Sequence, residues 1–135
     1  MSDKQMIRSE LLVFIDQLLK NRKALAELTR KRVLADLKRM VKERGLIERE
    51  SAIALLVCSE QNENGKLVYS NEAARKAEIT ARLAKDDGFT QGIKSIDAKR
   101  RYVVRTKADE GITSAVIKNL ESLERLYFVD LEAKE

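Results

Sequence analysis

Histidine is absent from this 135-residue sequence, and its absence excludes more chemistry than any residue present supports. Without an imidazole, Ser-His-Asp and Cys-His catalysis, the usual zinc sites and the ordinary neutral-pH general base all lose their central member. Proline is missing too, and glycine occurs only at Gly45, Gly65, Gly88, Gly92 and Gly111, so long stretches carry no helix breaker. The single cysteine, Cys58, cannot close an internal disulfide. It ends the apolar run "AIALLVC", where a thiol is expected to act as a small buried hydrophobe, and it points to a reducing, cytoplasmic setting. That run of seven residues is the longest of its kind, far short of the roughly 18 a membrane span needs. No signal-peptide pattern opens the chain, and no membrane partner is expected.

What remains is rich in charge and suited to helices. Hydrophobic residues make up 44% of the chain and charged ones 36%, against roughly 25% charged in an average domain, an excess that long exposed helices would explain. The length suits one domain. From residue 3 to 44 nothing interrupts a helical pattern, and Leu11, Ile15, Leu18, Leu19, Ala26, Val33, Leu37 and Met40 share one stripe of a helical wheel. Arg22 falls inside that stripe and argues against a perfect coiled-coil seam. Leu28 and Leu34 lie off it and call for a second neighbour, from later in the chain or from another subunit.

Gly45 offers a C-cap, and residues 51–70 read as a small β-hairpin joint. Ile53–Ser59 and Lys66–Tyr69 would be its strands and Asn64-Gly65 its turn. A competing reading carries the first helix on to about Cys58, because "ERESAIALL" is helix-compatible. Ser70 or Asn71 can cap a short helix over 71–86, braced by Glu72 with Lys76 and Glu78 with Arg82. "DDGFTQG" reads as a break. A last helical region over 93–134 carries Ile112, Val116, Leu120, Leu123, Tyr127 and Leu131 on one stripe. Val104, Ala108, Gly111 and Ala115 form a line of mostly small residues that would admit a close neighbour or a bend. The expected fold is mainly α: a long antiparallel helical hairpin, coiled-coil-like, with the small β-hairpin and short helix inserted between the long helices. Such a fold suits a homo-oligomer, dimer or higher.

The net charge of +5 is unevenly placed: Lys20 to Arg44 holds ten Lys or Arg against Glu27, Asp36 and Glu43, and the chain beyond is close to balance. Lys20, Lys31, Lys38 and Lys42 form an outward row on the wheel, with Arg22, Lys23, Arg32 and Arg39 beside them. A second cluster, "KRRYVVRTK", adds Arg100, Arg101 and Arg105 around Tyr102. Together these residues are the candidate DNA- or RNA-binding set, since clustered cations neutralise phosphates and an aromatic among them can stack on a base. The plainer readings are a solvated helix face, and a Tyr102 packed beside Val103 and Val104 while Asp97 pairs with Arg101. Asp86, Asp87, Asp97 and the Asp109-Glu110 pair are the only carboxylates in contention for a metal or acid-base site, and nothing in their spacing forces convergence. No phosphate-binding glycine loop occurs. No catalytic residue, metal ligand or cofactor is assigned, and the chain is not expected to be an enzyme.

"YSNEAARKAEITARLAKD", with Tyr69-Ser70-Asn71-Glu72, Arg75-Lys76, Arg82-Leu83 and Asp86, resembles a pattern of short coiled-coil proteins of bacteria and their phages, over roughly residues 55 to 135. Where those proteins continue with Asp-Pro and an aromatic, this chain has Asp86-Asp87-Gly88-Phe89, so its helix-to-helix turn differs. The resemblance implies a coiled-coil body and a phage or mobile-element setting, and it carries no functional residue. The order helix, hairpin, helix also resembles a prefoldin subunit, although the short helix has no place in that plan. The expected function is therefore a non-catalytic oligomeric scaffold or binding protein, with the resemblance suggesting an accessory of phage or mobile-element DNA metabolism that contacts DNA or RNA. The alternatives are a prefoldin-like chaperone or adaptor with a protein partner, and a carboxylate-metal hydrolase on Asp86, Asp87 and Asp97.

Overall fold

A computed structural model describes residues 2–134. Its helices are α1 (Asp3–Ser59), α2 (Glu72–Lys85) and α3 (Asp87–Ala133), and the chain is mainly α. No strand occurs among the described residues; an isolated bridge pairs Gln61 with Leu67. The β-hairpin expected over 51–70 is replaced by the last turns of α1 and a loop. Packing decides this, since Val57 is fully buried and Ile53 and Ala54 half-buried at helical spacing, while Leu55, Leu56 and Cys58 face outward. Gly45 is not a C-cap but an interior helical residue with open space around it.

The chain divides into two units, Met1–Leu34 with Val103–Glu135, and Ala35–Tyr102. In the first, Ser2 and Gln5 start α1 as a reciprocal cap: the Gln5 amide donates to Ser2 Oγ at 3.2 Å and the Ser2 amide to Gln5 Oε1 at 3.0 Å. Asp3 meets Lys134, Arg22 meets Glu121 and Arg32 meets Glu110, so the two helical stretches of this unit run in opposite directions. Leu18, Ile117 and Leu120 form the buried cluster, with Phe14 and Leu25 against it. Phe14 also packs on Tyr127, ring centroids 5.1 Å apart. Buried and half-buried positions on α1 follow 7, 11, 14, 18, 21, 25, 28 and 32, the alternating three-and-four step of paired helices. Leu19 and Val33 therefore leave the expected core stripe and are exposed.

In the second unit, Lys42 with Ser95, Glu43 with Arg100 and Arg49 with Asp86 again set α1 and α3 in opposite directions. The loop between α1 and α2 turns on Asn62, whose Oδ1 accepts from the amides of Asn64 and Lys66 at 2.9 and 3.0 Å, and on Gly65 at φ +74°. Asn71 caps α2 by accepting from the Ala74 amide at 2.7 Å. Arg82 ties α2 to the loop: it donates to Glu60 at 2.6 Å and to Glu78 at 2.8 Å, and lies 5.9 Å over the Tyr69 ring. The expected break over "DDGFTQG" shrinks to Asp86. That residue ends α2 and accepts from the Phe89 amide at 2.9 Å, so α3 begins at Asp87 rather than near residue 93. Gly92 then lets α3 lie close to α1, where Leu46 fills the space a Cβ would need.

Candidate functional site

The eleven candidate basic residues fall into two groups. Six are engaged within the fold. Lys20 pairs with Asp16 on its own helix at 3.0 Å, and Arg22 reaches Glu121 at 3.2 Å. Arg32 meets Glu110 at 2.6 Å in a pair only 25% and 16% exposed, a seam contact rather than a ligand-facing one. Arg39 holds Asp36 at 2.9 Å and Glu43 at 2.7 Å, and Arg100 comes to the same Glu43 from α3. These two guanidinium groups, Arg39 first, keep the Glu43 carboxyl below its ordinary pKa. Lys42 donates to Ser95 Oγ at 2.8 Å and so leans toward α3, not outward with the rest of its row.

Lys23, Lys31, Lys38, Arg101 and Arg105 form no ion pair among the described residues and are exposed. Lys31 lies near enough to Glu27 to act on its charge, after the larger effect of Arg30. Asp97 does not pair with Arg101 as expected. Tyr102 is 37% exposed.

The carboxylates do not gather. Asp86 is held by Arg49 at 2.7 Å and by the Phe89 amide, which together hold its pKa below the ordinary value, Arg49 contributing most. No group of three or more Asp, Glu or Cys residues among those described is placed to hold a metal ion. Cys58 is exposed, not buried as its apolar run suggests, because only Val57 of that run turns fully inward.

The apolar surface is the larger feature, and the sequence reading missed it. Leu12, Leu19, Ala26, Val33, Met40, Ile47 and Ala54 recur every seven residues along α1. In the first unit Leu12, Leu19 and Val33 are 68%, 60% and 44% exposed, and in the second Met40 and Ile47 are 54% and 64% exposed. A count at intervals of seven would have found this column. A single helical wheel merged it with the seam beside it. The second unit also holds a cavity of about 400 Å³ between α1 and α3, with Leu46, Phe89 and Ile96 among its apolar walls and Glu43, Glu50, Asp97 and Arg100 around them. A second cavity of about 410 Å³ shares Phe89 and Ile93 and extends toward Leu83 of α2. No helix among the described residues is long and apolar enough to cross a membrane. Comparison with protein-family models, curated proteins and solved structures finds no match to this chain.

Proposed function

We propose that this protein is a non-catalytic, coiled-coil-like helical scaffold that works as an assembly of its own copies. The supporting observation is the apolar surface left uncovered by one chain. An apolar residue every seven positions is what one helix presents to another along its length, and in α1 Leu12, Leu19, Val33, Met40 and Ile47 of that column are exposed. Light scattering of the pure protein at micromolar concentration should give a dimer or larger; a monomer of full helicity would reject the reading. A prefoldin-like or adaptor role would use the same surface for other polypeptides, and prevention of a client's aggregation by a non-assembling chain would favour it.

A second reading, contact with DNA or RNA, is favoured by the five cations without carboxylate partners. Ion pairs inside the fold already use Arg22, Arg32, Arg39 and Arg100, so any phosphate contacts would fall to Lys23, Lys31, Lys38, Arg101 and Arg105. Binding carried by them should weaken steeply with salt. Lys31→Glu with Lys38→Glu should abolish retention on mixed-sequence DNA while leaving helicity unchanged. Affinity that is flat across a salt series would reject this reading. An accessory role in phage or mobile-element DNA metabolism depends on it.

A further inference from the structure

We propose that the groove between α1 and α3 of the second unit receives an amphipathic helix of a partner protein, one whose apolar stripe is bordered by lysine or arginine. The proposal goes beyond the assembly reading and does not depend on it, since Leu12, Leu19 and Val33 of the first unit remain exposed for contact between copies.

The groove has an apolar floor. Leu46 and Ile47 of α1 and Phe89, Ile93 and Ile96 of α3 line its cavity of about 400 Å³. Ile47 and Ile93 are 64% and 42% exposed, so a helix laid along the groove takes two large side chains out of water.

Around that floor the free charge has one sign. The ionisable groups lining the cavity are Glu43, Glu50, Asp97 and Arg100. Arg100 is held by Glu43, which Arg39 also engages. Glu50 and Asp97 are exposed and form no ion pair among the described residues. Lys94 lines the neighbouring cavity and not this one. The groove therefore presents two carboxylates to be answered by cations, on a chain whose net charge is +5.

The spacing of those carboxylates selects a helix over a small organic cation. Gly92 of α3 lies against Leu46 of α1. Glu50 follows Leu46 by four residues and Asp97 follows Gly92 by five, and because the two helices run in opposite directions these steps lead away from each other. Glu50 and Asp97 thus stand about nine residues apart along the groove, roughly 13 Å. By the same register all five apolar lining residues fall between their levels. A single ammonium group cannot meet both carboxylates. Two basic residues of one helix can: nine residues make about two and a half turns, which puts the first and last on opposite sides, one toward α1 and the other toward α3. Apolar residues at steps of three and four between them would fill the floor, the usual way a helix lies in a groove.

Fluorescence anisotropy with two labelled synthetic helices tests the proposal, one of leucine and lysine and one of leucine and glutamate, each with charges along both edges of an apolar face. The wild-type protein should bind the lysine peptide at least about tenfold more tightly than the glutamate peptide. Glu50→Lys/Asp97→Lys should abolish or reverse that preference. Asp130→Lys/Glu132→Lys, an equal change of charge in the first unit, should keep it. Ile47→Ala/Ile93→Ala should weaken both peptides, with circular dichroism as a check on folding; if that variant loses helicity, the charge variants decide alone. Equal affinity for the two peptides, or a preference unmoved by Glu50→Lys/Asp97→Lys, would overturn the proposal. So would the absence of peptide binding, and if Glu50→Lys/Asp97→Lys then lowers the mass of a wild-type assembly in sedimentation equilibrium, the groove belongs to a second copy. A monomeric wild type that discriminates between the peptides would reject the assembly reading alone.

Discussion

A Cβ placed on Gly92 would sit 2.6 Å from Cδ2 of Leu46, whereas one on Gly45 or Gly111 meets nothing within 4 Å. The same residue type thus serves close approach at one helical site and nothing visible at two others. Glycine inside a helix costs about 0.5–1 kcal/mol relative to alanine, chiefly through the freedom of the unfolded chain. Gly45→Ala and Gly111→Ala should each raise stability by about that amount in a urea titration. Gly92→Ala should gain less or lose, because the end of Leu46 has to move. Neither outcome was legible in the sequence, where Gly45 looks like a helix stop and Gly111 like a bend. Residue type shows that a backbone is free to turn, but only the neighbouring surface shows whether it does. Leu18 was legible as core; at 1% exposure its replacement by alanine should cost about 2–5 kcal/mol.

At the scale of elements, local chemistry was readable and tertiary choice was not. Asn71 caps α2, Glu72 pairs with Lys76 at 3.0 Å and Glu78 with Arg82 at 2.8 Å, as the spacing predicts. The extent of α1 was not readable, because a short apolar run suits a strand or a helix equally until Val57 finds its packing. Asp86 joins the two kinds of information: it caps α3 locally and receives Arg49 from α1. Asp86, Glu43, Glu78 and Glu27 all have pKa values lowered by arginine partners. A depressed carboxyl adds stability above its unfolded pKa and loses it as pH falls through the lower folded value. Thermal melts should therefore change little between neutrality and pH 5 and fall on acidification below about pH 4. Asp86→Asn, which keeps a capping oxygen but not the charge, should reduce that acid dependence; an unchanged profile would exclude Asp86 as a contributor.

For the whole molecule, the sequence conveyed helical content and the positive balance but misjudged where surface chemistry lies. The lysine row was read from the wheel as outward, yet Lys42 turns to Ser95, while Arg39 and Arg100 are spent on Glu43. Ser95 and Arg100, far from α1 in sequence, made part of that difference, and Arg39 finds Glu43 one turn along its own helix. The outward apolar column was present in the sequence at intervals of seven but merged with the core stripe. If copies assemble through such a surface, folding and association are linked by mass action. The melting temperature should then rise with protein concentration over a hundredfold range, and a concentration-independent transition would count against assembly. Equal Tm values would also leave the exposed leucines, Leu12 and Leu19 among them, without a use.

Arg32 and Glu110 have a consequence of their own. Aliphatic side chains repeating every seven residues would let one helix slide past the other by two turns and still find greasy neighbours. Such a slip in the first unit would set the Arg32 guanidinium against Val103 or Ile117, a desolvated cation facing a hydrocarbon wall. The pair therefore acts as a detent, adding little to the depth of the native well but closing off the two misaligned wells beside it.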